Sequence, residues 1–179
     1  MIYFDTCWYE WYRVDTMMHD VENYFHTGAG ARINSADVIH TIRTFMHERP
    51  ESPYKIIIGT DSLGVNDSYT DFVTAIVVQR VGNGGKYFWK RLARQNVYGL
   101  RDRIIKEVML TLETATDVLE LLKAHPELTF DFEVHVDVGM QGKTSALISE
   151  VTGMIRGYNF PFKTKPESYA ASNIADKHV

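Results

Sequence analysis

Tyr54-Lys-Ile-Ile-Ile-Gly-Thr-Asp-Ser62 constrains the fold of this chain more than any other stretch. Ile56, Ile57 and Ile58 are consecutive β-branched residues without polar alternation, the pattern of a strand covered on both faces, and Gly59 marks a close backbone approach at its end. Asp61 then stands at the strand's exit. The segment Phe130-Asp-Phe-Glu-Val-His-Val-Asp-Val138 ends the same way. Phe130, Phe132, Val134, Val136 and Val138 alternate with Asp131, Glu133, His135 and Asp137, so Asp137 belongs to the polar face of a second strand. A lone aspartate after a strand is ordinarily a loop residue. Two of them at the tips of strands paired in parallel would repel one another and call for a cation between them.

Around these strands the pattern is readable in order. Residues 1–33 carry Tyr3, Phe4, Trp8, Tyr9, Trp11 and Tyr12, aromatics dense enough to pack on the body of the protein or on a partner subunit, and Gly28-Ala-Gly30 interrupts any helix there. Asn34-Ser35 offers an N-cap to a helix with Val38, Ile42, Phe45 and Met46 on one stripe. Residues 72–78 read as a strand, and Val81-Gly-Asn-Gly-Gly85 as a hairpin turn into a third strand at 86–92, with a polar loop at 63–70. Helical periodicity runs from Asp102 to Lys123, then a strand over 130–138, a helix from Lys143 to Arg156, a short strand over 160–165 and a last helix from Glu167. This divides the chain into an aromatic-rich extension with a helix, 1–50, and an α/β domain, 51–179.

Composition narrows the function. One cysteine, Cys7, excludes a disulfide framework and points to a reducing, cytoplasmic setting. No apolar run reaches the roughly 20 residues of a membrane span. Net charge is −4, but it is unevenly placed. Residues 79–106 hold eight lysines and arginines against Asp102 alone, whereas residues 107–139 hold eight carboxylates against Lys123 alone. A basic patch beside a carboxylate-rich segment suits a metal-dependent enzyme acting on a phosphate-rich polymer, and a solvated hairpin beside an acidic helix gives the same count. Gly142-Lys143-Thr144 imitates the end of a P-loop, yet Asp137 occupies the place of its first glycine, so a nucleotide triphosphatase is not expected. His135, between two valines, reads as a structural hydrogen-bonding residue.

Ile58-Gly-Thr-Asp-Ser62, Val134-His-Val-Asp-Val-Gly139, Gly142-Lys-Thr144, Lys165-Pro-Glu-Ser-Tyr-Ala-Ala-Ser172 and Ala175-Asp-Lys-His178 resemble the YkuK family of the ribonuclease H-like superfamily. The resemblance implies a five-stranded mixed sheet flanked by helices, with the first and fourth strands paired in parallel. It makes Asp61 and Asp137 the central metal ligands, joined by a helix glutamate and a C-terminal acid. At about 100° per residue Glu107 lies at the border of the apolar stripe of its helix and Glu113 points away, so Glu107 is the glutamate expected; Asp176 fits the C-terminal acid. The implied chemistry is phosphodiester hydrolysis with Mg2+ or Mn2+, two ions about 4 Å apart. Arg91, Arg94, Lys143, Lys163 and Lys165 are candidate phosphate contacts on a nucleic-acid substrate, DNA or RNA, and Tyr87 and Trp89 are candidates for base stacking. His178 is a candidate proton shuttle. A noncatalytic nucleic-acid-binding module on the same frame is the competing expectation, and a homo-oligomer through the aromatic N-terminus is open.

Overall fold

The computed structural model describes residues 24–64, 69–168, 173–175, 177 and 178. Seven strands form one sheet: β1 Tyr24–Thr27, β2 Arg32–Asn34, β3 Tyr54–Gly64, β4 Tyr69–Arg80, β5 Gly85–Asn96, β6 Asp131–His135 and β7 Phe162–Lys163. The helices are α1 Ser35–His47, α2 Leu100–Lys123 and α3 Ile148–Gly157. Strand order is β2-β1-β5-β4-β3-β6-β7. The sheet is mixed, because β3 pairs with β6 and β6 with β7 in parallel while the other pairs are antiparallel.

The ribonuclease H-like arrangement is present, with two strands more than the five expected. β1 and β2 arise where the glycines had read only as helix breakers. Gly30 takes a φ of 85°, its N–H donates to Thr27 O at 2.9 Å, and Thr27 N–H donates to Ala31 O at 2.9 Å, closing a hairpin that extends the β5 edge. The expected turn at 81–85 forms with Gly82 and Gly84 both at φ 77°. β3 and β4 run past the expected ends, leaving a connection of only four residues outside the described ones.

Even-numbered β3 residues face the helices. Ile56 and Ile58 are fully buried with Ile76, Val78, Val134, Val136 and Val138, against Val38, Ile42, Phe45 and Met46 of α1 and Val108, Leu112, Ala115 and Leu122 of α2. Asn34 caps α1, its side chain accepting from Asp37 N–H at 2.8 Å in a reciprocal capping box. Three buried threonines tie α2 to the sheet: Thr111 Oγ1 donates to Thr60 Oγ1 at 2.9 Å, and Thr60 and Thr74 share a 2.9 Å hydrogen bond.

The opposite face is built from one row across all seven strands: Arg32, His26, Trp89, Ala75, Gly59, His135 and Lys163. Ala75 and Gly59 leave its middle shallow. Ala175 and Ile174 pack there against Val73, Ala75 and Trp89, and His178 stacks on Trp89 with ring centroids 4.3 Å apart. Residues 173–175 are helical, whereas Glu167, Ser168, Lys177 and His178, also within the span expected for the last helix, are not; 169–172, 176 and 179 lie outside the described residues.

Candidate active site

Register brings the two aspartates together. The last paired rung of β3 and β6 joins Gly59 to His135; two residues further, Asp61 is still on β3, whereas Asp137 lies just past the end of β6, which is shorter than the strand expected over 130–138. Both therefore lie at the same end of the sheet, beyond the last parallel rung. On the other flank β7 is in register with β6, His135 opposite Lys163, which sets Lys165 beside Asp137. Asp61 lies within β3, whose antiparallel pairing with β4 continues to Gly64; only the parallel pairing toward β6 has ended.

Glu107 reaches this edge from α2. It is 5% exposed, and Ser62 Oγ donates to its Oε1 at 2.5 Å. Burial pushes its carboxyl up to about 8; the Ser62 hydrogen bond and the Arg103 charge oppose the rise, and the charges of Asp61 and Asp137 add to it. The Glu107 carboxyl thus feels both aspartates. Glu113 is exposed, as its helical phase requires. Asp176 lies outside the described residues.

Several of the expected phosphate contacts are engaged within the protein. Lys165 Nζ sits 2.7 Å from Asp137 Oδ1, and Lys163 Nζ sits 2.6 Å from Glu167 Oε2. Arg91 pairs with the buried Asp71, and Arg101 with Glu150. Arg80 turns inward, its Nε donating to Tyr54 Oη at 2.9 Å and its Nη2 to Phe45 O at 2.9 Å. Within the basic patch counted from sequence, Arg80, Arg91 and Arg101 are thus paired with carboxylates from distant segments, and Lys106 with Asp102 one turn away. Lys143 is exposed, and Arg94 lies on β5 with its side chain outside the described ones. Trp89 is stacked between His26 and His178 rather than presented for bases.

His135 is structural in its bonding. Its Nε2 lies 3.0 Å from Glu133 Oε1, which also accepts from Lys55 Nζ at 3.3 Å. Burial holds the His135 imidazole below its usual pKa despite Glu133; burial would raise Glu133, but the His135 and Lys55 hydrogen bonds keep it low. Both line a cavity of about 690 Å³ on the same face with Ile57, Val77 and Tyr87, and Asp61, Glu107 and Asp137 are not among its lining residues. Ser62, Asp71 and the Lys165 pairing were not legible as site features, since each acquires meaning only through a partner on another element.

In kind, the donors fit a hard divalent ion, since all are carboxylate oxygens. In position they stand further apart than ligands of a bound ion, since among the described residues no group of three histidine, cysteine or acidic side chains surrounds one point. Among the described residues no helix is long and apolar enough to cross a membrane.

Residues 37–179 match the protein family described as Ribonuclease H-like. The chain is 34% identical over 167 residues to the uncharacterized protein YkuK of Bacillus subtilis (strain 168), covering 86% of this chain and 95% of that protein. No solved structure matches it significantly.

Proposed function

Since this chain belongs to the ribonuclease H-like YkuK family, a nucleic-acid-related fold, we propose that it is a metal-dependent nuclease hydrolysing phosphodiester bonds at the β3–β6 edge. The observation that carries this reading is the buried Glu107, held by Ser62 Oγ at the same end of the sheet where Asp61 and Asp137 follow the last rung of β3 and β6. Carboxylate oxygens suit a hard cation, and Mg2+ or Mn2+, if bound by these residues, would supply the activation of water and the stabilisation of the leaving oxygen. Asp61 on β3 and Asp137 just past β6 would hold the ion. Glu107 closes the set from α2, with Ser62 fixing its orientation and the threonines fixing the height of its helix. Asp176 is the fourth ligand of the proposal. Lys143, which is exposed, and Arg94 on β5 are the proposed phosphate contacts.

The test is incubation of the protein with labelled single strands, duplexes, RNA–DNA hybrids and branched DNA, with Mg2+ or Mn2+ and then with a chelator. Cleavage that requires the ion and disappears in Asp61→Asn supports the nuclease. Binding without cleavage under every condition favours the second reading, a noncatalytic nucleic-acid-binding module, for which the Lys165–Asp137 pair speaks because it already neutralises one of the carboxylates.

A further inference from the structure

We propose that the cavity on the face of the sheet opposite α1 and α2 binds a flat, uncharged heterocycle with an N–H donor, the chemistry of a nucleobase. None of Asp61, Glu107 and Asp137 lines it, and the site does not depend on the nuclease reading. Its volume of about 690 Å³ is that of a small-molecule site. One rung across four strands makes the floor, with Tyr87, Val77, Ile57 and Glu133 opposite one another in that order. At about 4.8 Å per strand, some 14 Å separate Tyr87 from Glu133, and the apolar strip of Val77 and Ile57 between them accepts a ring lying flat. Ile174, packed in the cluster of Val73 and Ala75, lines one end of the cavity, and the glycines of the β4–β5 turn line the other.

Charge selects an uncharged ligand. The charged side chains lining the cavity on this face are Lys55, Glu133, Lys163 and Glu167, and they pair with one another, Lys55 with Glu133 at 3.3 Å and Lys163 with Glu167 at 2.6 Å. Arg80 and Lys86 also line it, but their side chains turn to the other face, Arg80 toward Tyr54 Oη and Phe45 O and Lys86 toward the Phe45 ring. What the lining lacks is a donor. Glu133 Oε1 accepts from Lys55 Nζ and lies 3.0 Å from His135 Nε2, so the proton of the neutral imidazole sits on Nε2. His135 is 4% exposed, and its Nδ1, left as a bare acceptor, has no hydrogen-bond partner. A buried acceptor without a donor is unfavourable, and a ligand N–H satisfies it. Nucleobases combine a flat ring, an N–H at its edge and no net charge.

The experiment titrates the full chain with adenosine in chelator, followed by calorimetry and by nitrogen-15 spectra of the histidine rings. Adenosine is expected to bind about fivefold more tightly than purine riboside, which keeps the ring and lacks the amino group, and to shift the His135 Nδ1 resonance. Adenosine monophosphate should bind no more tightly than adenosine. In His135→Phe the two nucleosides should bind alike, and Val77→Trp, which fills the floor from β4, should lose both. A single-stranded oligoadenylate that binds more tightly than adenosine, with the same dependence on Val77, identifies the source of the base as a strand; the reverse order identifies a free nucleoside. No binding of adenosine or oligoadenylate, equal affinity for adenosine and purine riboside in wild type, an unmoved Nδ1 resonance, or affinity that survives Val77→Trp would overturn the site, whatever the outcome of the cleavage assays.

Discussion

Ser62 and Glu107, on a strand and a helix 45 residues apart in sequence, are joined by a hydrogen bond in which Ser62 Oγ donates to a carboxyl buried at the sheet edge. The bond aims a group whose protonation reports on its neighbours.

Glu107 makes the ion-free protein sensitive to pH. Its folded pKa of about 8 lies above the ordinary 4.5, so its contribution to stability is fully present below pH 4.5, declines as pH rises and is lost above about 8. Denaturant unfolding in chelator should show Glu107→Gln gaining on wild type by a few kcal/mol between those limits. A difference independent of pH would contradict it.

Ion binding should release a proton. Glu107 must ionise to act as a ligand, so Mn2+ titration near pH 6 should liberate about one proton per ion, read from the buffer dependence of the binding heat. Glu107→Gln should abolish the release. The Asp61→Asn, Asp137→Asn double variant should lose Mn2+ affinity with its circular dichroism unchanged; undiminished affinity in that variant would sink the ligand assignment.

Ser62→Ala should leave the fold intact and weaken Mn2+ binding by about tenfold, the usual cost of removing a partner that orients a ligand. Equal affinity in the two proteins would mean that Glu107 needs no orienting bond.

Arg91→Glu should act on stability before it acts on substrate. It sets a new carboxylate against Asp71, 6% exposed, in place of a cation, and a loss of about 2 kcal/mol is expected in chemical unfolding. A variant as stable as wild type but with weakened, less salt-dependent nucleic-acid binding would return Arg91 to the substrate surface.

What could be read in advance followed local pattern. Three consecutive isoleucines predicted a buried strand, and Ile56, Ile57 and Ile58 are no more than 2% exposed. Helical phase separated Glu107 from Glu113, and the alternation at 130–138 put Val134, Val136 and Val138 in the core. What escaped depended on partners far along the chain. Tyr24–Thr27 is too short to announce itself as a strand and is fixed by β5, some sixty residues later. Lysines counted as free for phosphate turned out to face Asp137 and Glu167, and no spacing rule reveals an ion pair that strand register creates.

The parallel pairing of β3, β6 and β7 also sets a schedule. Asp61 is made early, Asp137 only after the whole of α2, and Lys165 after α3, so the β3–β6 rungs, such as Lys55 opposite Asp131, cannot close until β6 has been made, and the edge is complete only once β7 has followed. Such nonlocal closure is slow compared with the β3–β4–β5 meander, which can form from neighbouring segments alone. A chain interrupted before β7 would hold a folded meander and two exposed aspartates without the lysine that balances them. Assembly of the charged edge is thereby tied to completion of synthesis through residue 165, and an incompletely translated copy lacks the finished site.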